Sequence, residues 1–215
     1  MVYTIAWYLC RWIARAFFAL RIEGAEHVPE AGPVILAPNH VSYVDPALIA
    51  ISVRRRVHSM AKRELFRNRA MARFLRALQG FPITRERVDP SSVKHVLSLL
   101  AAGQVVVIFP EGTRGDGQTL GPAKPGIGVV AARSGAAVVP VFHWGSERIL
   151  PRGARWFRRA PLRIRFGPPL RFPSGGAAGT RERVDREAAE TFGRQLMEAI
   201  AALRPTAEPP MSMSR

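Results

Sequence analysis

A histidine and an aspartate stand at a spacing that suits a base and the group that orients it. The apolar run 33–37 predicts a buried strand, and Asn39 and His40 follow it. Asp45 precedes Pro46, which predicts a helix with Asp45 as its N-cap. Across one tight turn, Asp45 would bind one ring N–H of His40 and leave the other nitrogen to accept a proton. The same spacing is also typical of an ordinary loop contact.

A second group of polar residues follows another apolar run. Residues 104–108 predict a strand, and the hexapeptide Phe-Pro-Glu-Gly-Thr-Arg occupies positions 109–114. It brings a carboxylate, a flexible glycine, a hydroxyl and a guanidinium to a second strand end: Glu111, Gly112, Thr113 and Arg114. Two strand ends with such residues favour a functional site over a chance loop contact.

Together these motifs resemble those of the glycerolipid acyltransferases of the 1-acylglycerol-3-phosphate type. Residues 39–45 match the family's N-H-x4-D motif, and residues 109–114 match its F-P-E-G-T-R motif letter for letter. A glycine, an apolar stretch and an arginine at 80–85 match a further motif, and an apolar strand around a proline at 138–141 matches another. The four motifs occur in the family's order.

The reaction implied by the resemblance is transfer of a fatty acyl group from a thioester to a lysophospholipid hydroxyl. The expected acceptor is 1-acylglycerol-3-phosphate, which would give phosphatidic acid, and the donor is acyl-CoA or an acyl carrier protein. His40 would take the proton of the hydroxyl as the new bond forms, and Asp45 would stabilise the resulting imidazolium. No metal and no cofactor are expected. Ser42 is a possible nucleophile, but a hydrogen-bonding or turn role suits it better.

Several motif residues are expected to bind substrate. Arg114 and Arg85 would bind the acceptor phosphate, because guanidinium groups match phosphate oxygens bidentately. Glu111 would accept a hydrogen bond from the acceptor hydroxyl or position Arg114, or serve only as a loop anchor. The full expected set is Asn39, Arg85, Glu111, Gly112, Thr113, Arg114 and Lys124. Lys124 is equally well interpreted as a solvated loop lysine, and Thr84 stands where relatives often carry Asp or Asn.

Length and charge indicate one domain with anionic partners. The chain has 215 residues and a formal net charge of +16, enough residues for a substantial core. The charge favours anionic membrane surfaces, phosphorylated substrates, coenzyme A or an acidic carrier protein. It would also allow nucleic acid, but none of the usual nucleic-acid-binding motifs is present and no such partner is expected. Cys10 is the single cysteine, which excludes an intramolecular disulfide, and it is predicted to pack in the interior.

The first twenty residues predict an amphipathic helix. Residues 3–20 carry apolar side chains at helical spacing, with Arg11 and Arg15 on the opposite face. Two central arginines would cost about 5–7 kcal/mol in a bilayer, which the apolar residues offset only to near zero. We therefore expect the helix to lie in the membrane interface, with Trp7 and Trp12 as anchors. The alternative is a helix packed on the domain's own core.

Alternating strands and helices predict a single layered α/β domain, a mostly buried sheet flanked by helices. The predicted strands are 33–37, 57–60, 104–109, 136–142 and 162–166. The predicted helices cover 46–52, a stretch with an apolar stripe at Met71, Phe74, Leu75 and Leu78, a segment from Ser91 or Ser92 to Gly103, then 126–133 and 184–203. The predicted divisions are a membrane helix at 1–20, an acyltransferase domain at 21–172, a linker and C-terminal helix at 173–204, and a disordered tail at 205–215.

Three other functions are compatible with parts of the pattern. The same family would admit another lipid acceptor, such as a glycolipid or a lyso-ornithine lipid. The hypothesis of a basic nucleic-acid-binding module is supported by the net charge alone. A catalytically silent membrane-binding protein would not need both His40 and Asp45. The favoured interpretation is a peripheral or monotopic enzyme on the cytoplasmic side of the cell membrane.

Overall fold

The computed structural model describes residues 2–83, 90–151, 154, 156–173 and 185–205. Seven strands form one mixed sheet within these residues: β1 (Arg21–Glu23), β2 (Val34–Pro38), β3 (Val57–Lys62), β4 (Gly80–Ile83), β5 (Val105–Val107), β6 (Ala137–Trp144) and β7 (Arg163–Phe166). The helices are α1 (Val2–Phe18), α2 (Asp45–Ala50), α3 (Arg69–Ala77), α4 (Pro90–Ala101), α5 (Gly126–Ser134), α6 (Ser146–Ile149) and α7 (Arg186–Ala202). Short 3-10 helices cover Ala25–His27 and Arg63–Phe66.

The order of the strands brings both motifs to one edge of the sheet. Across the sheet the order is β1-β7-β6-β2-β5-β3-β4. The five strands from β6 to β4 are parallel, whereas β7 runs antiparallel to β6. Leu36 of β2 pairs with Val107 of β5 and with Val139 of β6. The carboxyl ends of these central strands therefore lie side by side, as in other open parallel sheets that carry sites at this edge.

Hydrophobic cores fill both faces of the sheet. The face that packs against α1 and α2 contains Leu36 and Val107, and the other face contains Ile35 and Val106 with α4, α5 and α7 above them. Because neighbouring residues of a strand point to opposite faces, a strand buried on both sides is a continuous apolar run in the sequence. This explains the unbroken apolar stretches before both motifs.

The predicted fold class is confirmed as a single α/β sheet flanked by helices. The sequence analysis missed strands β1 and β4 and the short helix α6. Both strands are short, at three and four residues, so neither is long enough to show a period in the sequence. Residues 174–176 of the predicted linker, residues 206–215 of the predicted tail, and Thr84 and Arg85 lie outside the described residues.

Helix α1 packs on the domain with one side and exposes the other. Tyr3 accepts a hydrogen bond from the Val57 N–H, the Trp7 indole donates to the Val53 carbonyl, and Ala14 is buried. Arg11 donates to the Ile51 carbonyl. Arg11 therefore belongs to the domain side of the helix, and its expected contact with lipid headgroups stays a prediction.

The exposed side of α1 carries most of its predicted apolar stripe. Ile5, Tyr8, Leu9 and Trp12 are all more than half exposed. Cys10 is exposed too, which contradicts its predicted packing. Within the described chain, no helix combines the length and the apolar character needed to cross a bilayer.

Candidate active site

His40 and Asp45 meet in a buried site at the carboxyl edge of the sheet. The two residues are 6% and 0% exposed, and His40 Nδ1 lies 2.9 Å from Asp45 Oδ2. The predicted contact across a tight turn is present. Since an ionised carboxylate only accepts, the Nδ1–H of His40 donates, which fixes the tautomer and leaves Nε2 as the nitrogen with an open lone pair.

Asp45 does not cap helix α2 as predicted. The helix begins at Asp45 itself, with Val44 at the N-cap position and no side-chain cap. Oδ2 instead accepts hydrogen bonds from the backbone N–H groups of Val41 and Ser42, at 2.8 and 2.7 Å. The carboxylate is turned back toward the loop that carries His40, because three donors converge on it there.

The surroundings of Asp45 keep it ionised. Burial raises the pKa of this carboxyl, but the neighbouring His143, the hydrogen bonds from His40 and the Ser42 N–H, and the nearby Ser146 hydroxyl together hold the pKa of Asp45 below its ordinary value. A carboxylate that stays charged in a buried position can stabilise an adjacent imidazolium strongly, because the local dielectric constant is low.

His143 is a second histidine in the site that the sequence analysis missed. It lies in β6, is 1% exposed, and its Nε2 is 3.6 Å from Asp45 Oδ2. The same nitrogen donates to the Asn39 carbonyl at 2.8 Å, and the Ser146 hydroxyl lies 3.4 Å from Nδ1. The available signal was a histidine next to the end of an apolar strand, as for His40, but nothing local paired it with Asp45.

Asn39 joins the end of β2 to β6. Its side-chain amide donates to the His143 carbonyl at 3.0 Å, and its side-chain oxygen accepts from the His143 N–H at 2.9 Å. Asn39 is 3% exposed. These contacts give the side chain a structural role in holding the two strands, and contact with substrate stays a prediction.

Glu111 holds the histidine loop and the loop of the hexapeptide together. Oε1 accepts from the His40 backbone N–H at 3.1 Å, and Oε2 accepts from the Gly121 N–H at 3.0 Å. The His40 carbonyl in turn accepts from the Gly115 N–H at 2.7 Å. Both carboxylate oxygens are thus used within the protein, which favours the loop anchor among the roles expected for Glu111.

Phe109 and Ser42 support the pair of His40 and Asp45. The Phe109 ring stacks on the imidazole of His40 with 3.9 Å between ring centroids and 27° between planes. The Ser42 hydroxyl donates to the Leu150 carbonyl at 3.3 Å, and Ser42 is 2% exposed. A buried, hydrogen-bonded Ser42 suits the structural role preferred above, and Phe109 limits the rotation of the histidine ring.

Arg114 lies above an aromatic ring from the first motif. Its guanidinium carbon is 3.5 Å from the centroid of the Tyr43 ring, and Tyr43 is 58% exposed. Such stacking holds a guanidinium flat while its edge remains able to bind an anion. The arrangement links the two motifs at the rim of the site. Arg85 lies outside the described residues, although β4 ends at the same edge of the sheet at Ile83.

The remaining predicted residues lie around the hexapeptide turn. Gly112 has φ 69°, in the left-handed region, and a Cβ there would meet Lys124 Cγ at 3.2 Å. Lys124 and Thr113 are both exposed, and the Lys124 backbone N–H donates to the Pro110 carbonyl at 2.8 Å. Glycine is required at this turn by its conformation. Lys124 stands just before α5, as predicted, with a side chain open to solvent.

Among the described residues, no three His, Cys, Asp or Glu side chains come together as metal ligands would. The arrangement around His40 instead provides a base, a buried charged partner and a nearby cation at the rim. This set can remove a proton from a hydroxyl and bind an anionic group a short distance away.

Comparison with known proteins gives the family of the chain. A model of the Acyltransferase family matches residues 19–144, which include all of β2 to β6 and both motifs. A 1-acyl-sn-glycerol-3-phosphate acyltransferase of Bacillus subtilis is 31% identical over 152 residues, covering 70% of this chain and 73% of that protein. The chain belongs to the acyltransferase family.

Other relatives of this acyltransferase are longer. The chloroplastic 1-acyl-sn-glycerol-3-phosphate acyltransferase LPAT1 of Arabidopsis thaliana is 32% identical over 143 residues, and the match covers 39% of its length. The crystal structure of the 1-acyl-sn-glycerophosphate acyltransferase PlsC from Thermotoga maritima has the same fold, with a TM-score of 0.70 at 21% identity, over 94% of this chain and 80% of that one. The family predicted from the motifs is confirmed, and the chain is an enzyme similar to 1-acylglycerol-3-phosphate acyltransferases.

Proposed function

We propose that this acyltransferase moves a fatty acyl group from acyl-CoA or an acyl carrier protein to the free hydroxyl of 1-acylglycerol-3-phosphate, with phosphatidic acid as the product of a phospholipid-forming step. The observation that carries the proposal is the buried His40–Asp45 pair with Arg114 beside it at the rim. The names of the relatives support the same acceptor.

In this proposal His40 acts as a general base and no covalent enzyme intermediate forms. Nε2 of His40 accepts the proton of the acceptor hydroxyl while the hydroxyl oxygen bonds to the carbonyl carbon of the thioester. The tetrahedral species then collapses, the carbon–sulfur bond breaks, and the proton passes from the imidazolium to the leaving thiolate. Asp45 stabilises the imidazolium between these two events.

Arg114 is proposed to bind the acceptor phosphate. The Tyr43 ring lies against the face of the guanidinium, so the nitrogen edge is the part able to make bidentate hydrogen bonds. Arg85, Thr113 and Lys124 remain proposed contributors at the same rim. For Glu111 and Gly112 the contacts described above support a role in shaping the loop.

We also propose that the reaction takes place at an anionic membrane surface, on its cytoplasmic side, with α1 as a contact. The exposed apolar side of α1 is the feature that supports this. Trp156 and Phe157, in the basic interval 148–159, are 82% and 64% exposed. The Arg159 guanidinium lies over Phe17 of α1 at 5.4 Å, so this loop and the end of the helix adjoin.

The experiment that tests the reaction is an acyl-transfer assay with mass detection of products. Both donors are offered against a panel of acceptors: 1-acylglycerol-3-phosphate, its dephosphorylated analogue, a lyso-ornithine lipid and a glycolipid. We expect transfer to the phosphate-bearing acceptor, and at least about a hundred-fold less with the His40→Ala variant as the control. Transfer confined to the other acceptors would refute the proposed substrate, and transfer unaffected by His40→Ala would refute the mechanism.

A matched pair of variants tests the contact of α1 with the membrane. Leu9→Ser with Trp12→Ser changes the exposed side and spares the buried one, unlike deletion of residues 1–20, which would remove Ala14 and Leu20 from the core. We expect weaker binding to vesicles of phosphatidylcholine and phosphatidylglycerol. Arg194→Ser on α7 is the control. Vesicle binding equal to that of the unmodified protein would contradict this role of α1.

A further inference from the structure

The 3-10 helix Arg63–Phe66 and helix α3 form a basic, amphipathic segment that leaves apolar side chains uncovered. Leu65, Met71 and Phe74 are 46%, 43% and 53% exposed. The stripe to which Met71 and Phe74 belong would be core in an ordinary surface helix. Here the one buried residue of α3 is Ala72, at the side of that stripe.

The charge of the same segment is strongly positive. Residues 62–76 contain six basic residues and one acidic residue. At helical spacing, Arg69, Arg73 and Arg76 fall on the side of α3 opposite Met71 and Phe74. An apolar face backed by arginines is the composition of helices that lie in the interface of a bilayer.

The position of the segment in the fold is close to the active site. The 3-10 helix follows the carboxyl end of β3, at the sheet edge where His40 follows β2 and Glu111 follows β5. Both α2 and α3 connect parallel strands while moving toward β4, so right-handed crossovers put them on the same face of the sheet. That face is also the one on which α1 packs.

Exposed apolar side chains are distributed unevenly over the described chain. All the large ones belong to α1, the segment 63–77, Tyr43 or the loop at 156–157: Val2, Ile5, Tyr8, Leu9, Trp12, Phe17, Tyr43, Leu65, Met71, Phe74, Trp156 and Phe157. None belongs to α4, α5 or α7, which cover the opposite face. One side of the molecule and its active edge are therefore apolar, whereas the other side is not.

We infer that residues 63–77 dock onto an anionic lipid bilayer, as a contact additional to α1. The inference rests on the proposed function only in that it places the membrane next to the proposed site. A bilayer with anionic headgroups complements both the apolar stripe and the excess of arginines. A second copy of the chain does not, because two such surfaces would bring like charges together. Docking here would place the opening of the site between two membrane contacts.

Vesicle binding of the full-length double variant Met71→Ser with Phe74→Ser tests the inference. The vesicles contain phosphatidylcholine and phosphatidylglycerol, and Arg194→Ser on the opposite face is the control. We expect affinity to fall by about ten-fold or more for the double variant. The vesicle affinity of the control variant and the thermal unfolding temperature of the double variant should stay near the values of the unmodified protein. Affinity equal to that of the unmodified protein would overturn the inference. So would a dimer in solution that the double variant dissociates, because the surface would then bind a second copy.

Depth of insertion is a second measurement that does not depend on affinity. In a Cys10→Ser background, Phe74→Cys provides a single site for an environment-sensitive dye, and Arg194→Cys provides the matched site on α7. A quencher attached to the lipid acyl chains should quench the dye at position 74 and not at 194. Equal quenching at both positions, or none at 74 on vesicle-bound protein, would refute docking by α3.

Both measurements need no turnover, so their outcome separates the surface from the reaction. Quenching at position 74 in a protein that transfers no acyl group would refute the proposed reaction and support the surface. Acyl transfer on vesicles without quenching at position 74 would support the proposed reaction and refute docking by residues 63–77.

Discussion

Replacing Asp45 by asparagine should weaken catalysis less than removing His40. Oδ2 of Asp45 accepts from the His40 ring and from two backbone N–H groups, whereas Oδ1 has no hydrogen-bond partner among the described residues. An asparagine should therefore place its oxygen at the Oδ2 position and its NH2 group at the Oδ1 position. The tautomer of His40 would be kept, and the loss would be that of the negative charge alone.

The size of the effect follows from this geometry. A hydrogen bond to a charged group contributes about 1.5–3 kcal/mol, and most of that contribution matters here only once the imidazolium forms. Asp45→Asn should therefore lower kcat/KM by roughly 10- to 150-fold. His40→Ala removes the base itself and should lower kcat/KM by about 10²- to 10⁴-fold. The double variant should be no worse than His40→Ala, because the aspartate acts only through the histidine.

The assay is acyl transfer to a short-chain, water-soluble acceptor, so that membrane binding does not affect the rates. Circular dichroism and thermal unfolding check that each variant is folded. A folded His40→Ala that keeps more than about a tenth of the turnover would show that His40 is not the base. If Asp45→Asn were as damaging as His40→Ala, or the two effects multiplied, the explanation from the Oδ2 contacts would be wrong.

Other measurements test the stability of the site and the phosphate contact proposed for Arg114. Because the pKa of Asp45 is lowered in the folded protein, its contribution to stability should be complete above the ordinary value of 3.8 and lost as the pH falls through the lower folded value. The free energies of unfolding in urea of the unmodified protein and of Asp45→Asn should therefore become equal only in strong acid. A difference in free energy that does not change with pH would contradict this. Arg114→Lys should raise KM for the phosphate-bearing acceptor more than for its dephosphorylated analogue, and equal losses would make Arg114 structural. Glu111→Gln should lower the free energy of unfolding by about 1–3 kcal/mol, because an amide cannot accept from both the His40 and Gly121 N–H groups; unchanged stability in chemical denaturation would contradict the anchor.

The contact between His40 and Asp45 was predictable because its geometry is local. His40 and Asp45 are five residues apart, and the strand before them is apolar on both faces. His143 was not predictable in the same way, since its hydrogen bonds to Asn39 span 104 residues. The roles of Asn39 and Glu111 were open for the same reason. Their residue types indicate hydrogen bonding, but only the packed chain shows that the partners are backbone groups of neighbouring strands and loops.

Periodicity also left the surroundings of the helices open. The stripe of α3 and the stripe of α1 have the spacing of a core-facing helix, yet Phe74 and Trp12 are exposed. Helical spacing of apolar residues shows only that one side of a helix prefers an apolar medium, whether that medium is protein or lipid. The residues that α1 does bury, such as Tyr3 and Trp7, make side-chain hydrogen bonds to backbone groups far along the chain, which no local pattern predicts.

The position of β1 at the edge of the sheet determines how late in synthesis this part of the sheet can form. The ladder partner of β1 is β7, and the ion pair between Glu23 and Arg165 spans 142 residues. At about 5–20 residues per second, the ribosome needs roughly 7–28 s to make that interval. During this time α1 has already been made, but the strand that fixes its end does not yet exist. The helix α1 of a nascent chain would thus be able to bind a nearby bilayer before β1 pairs with β7.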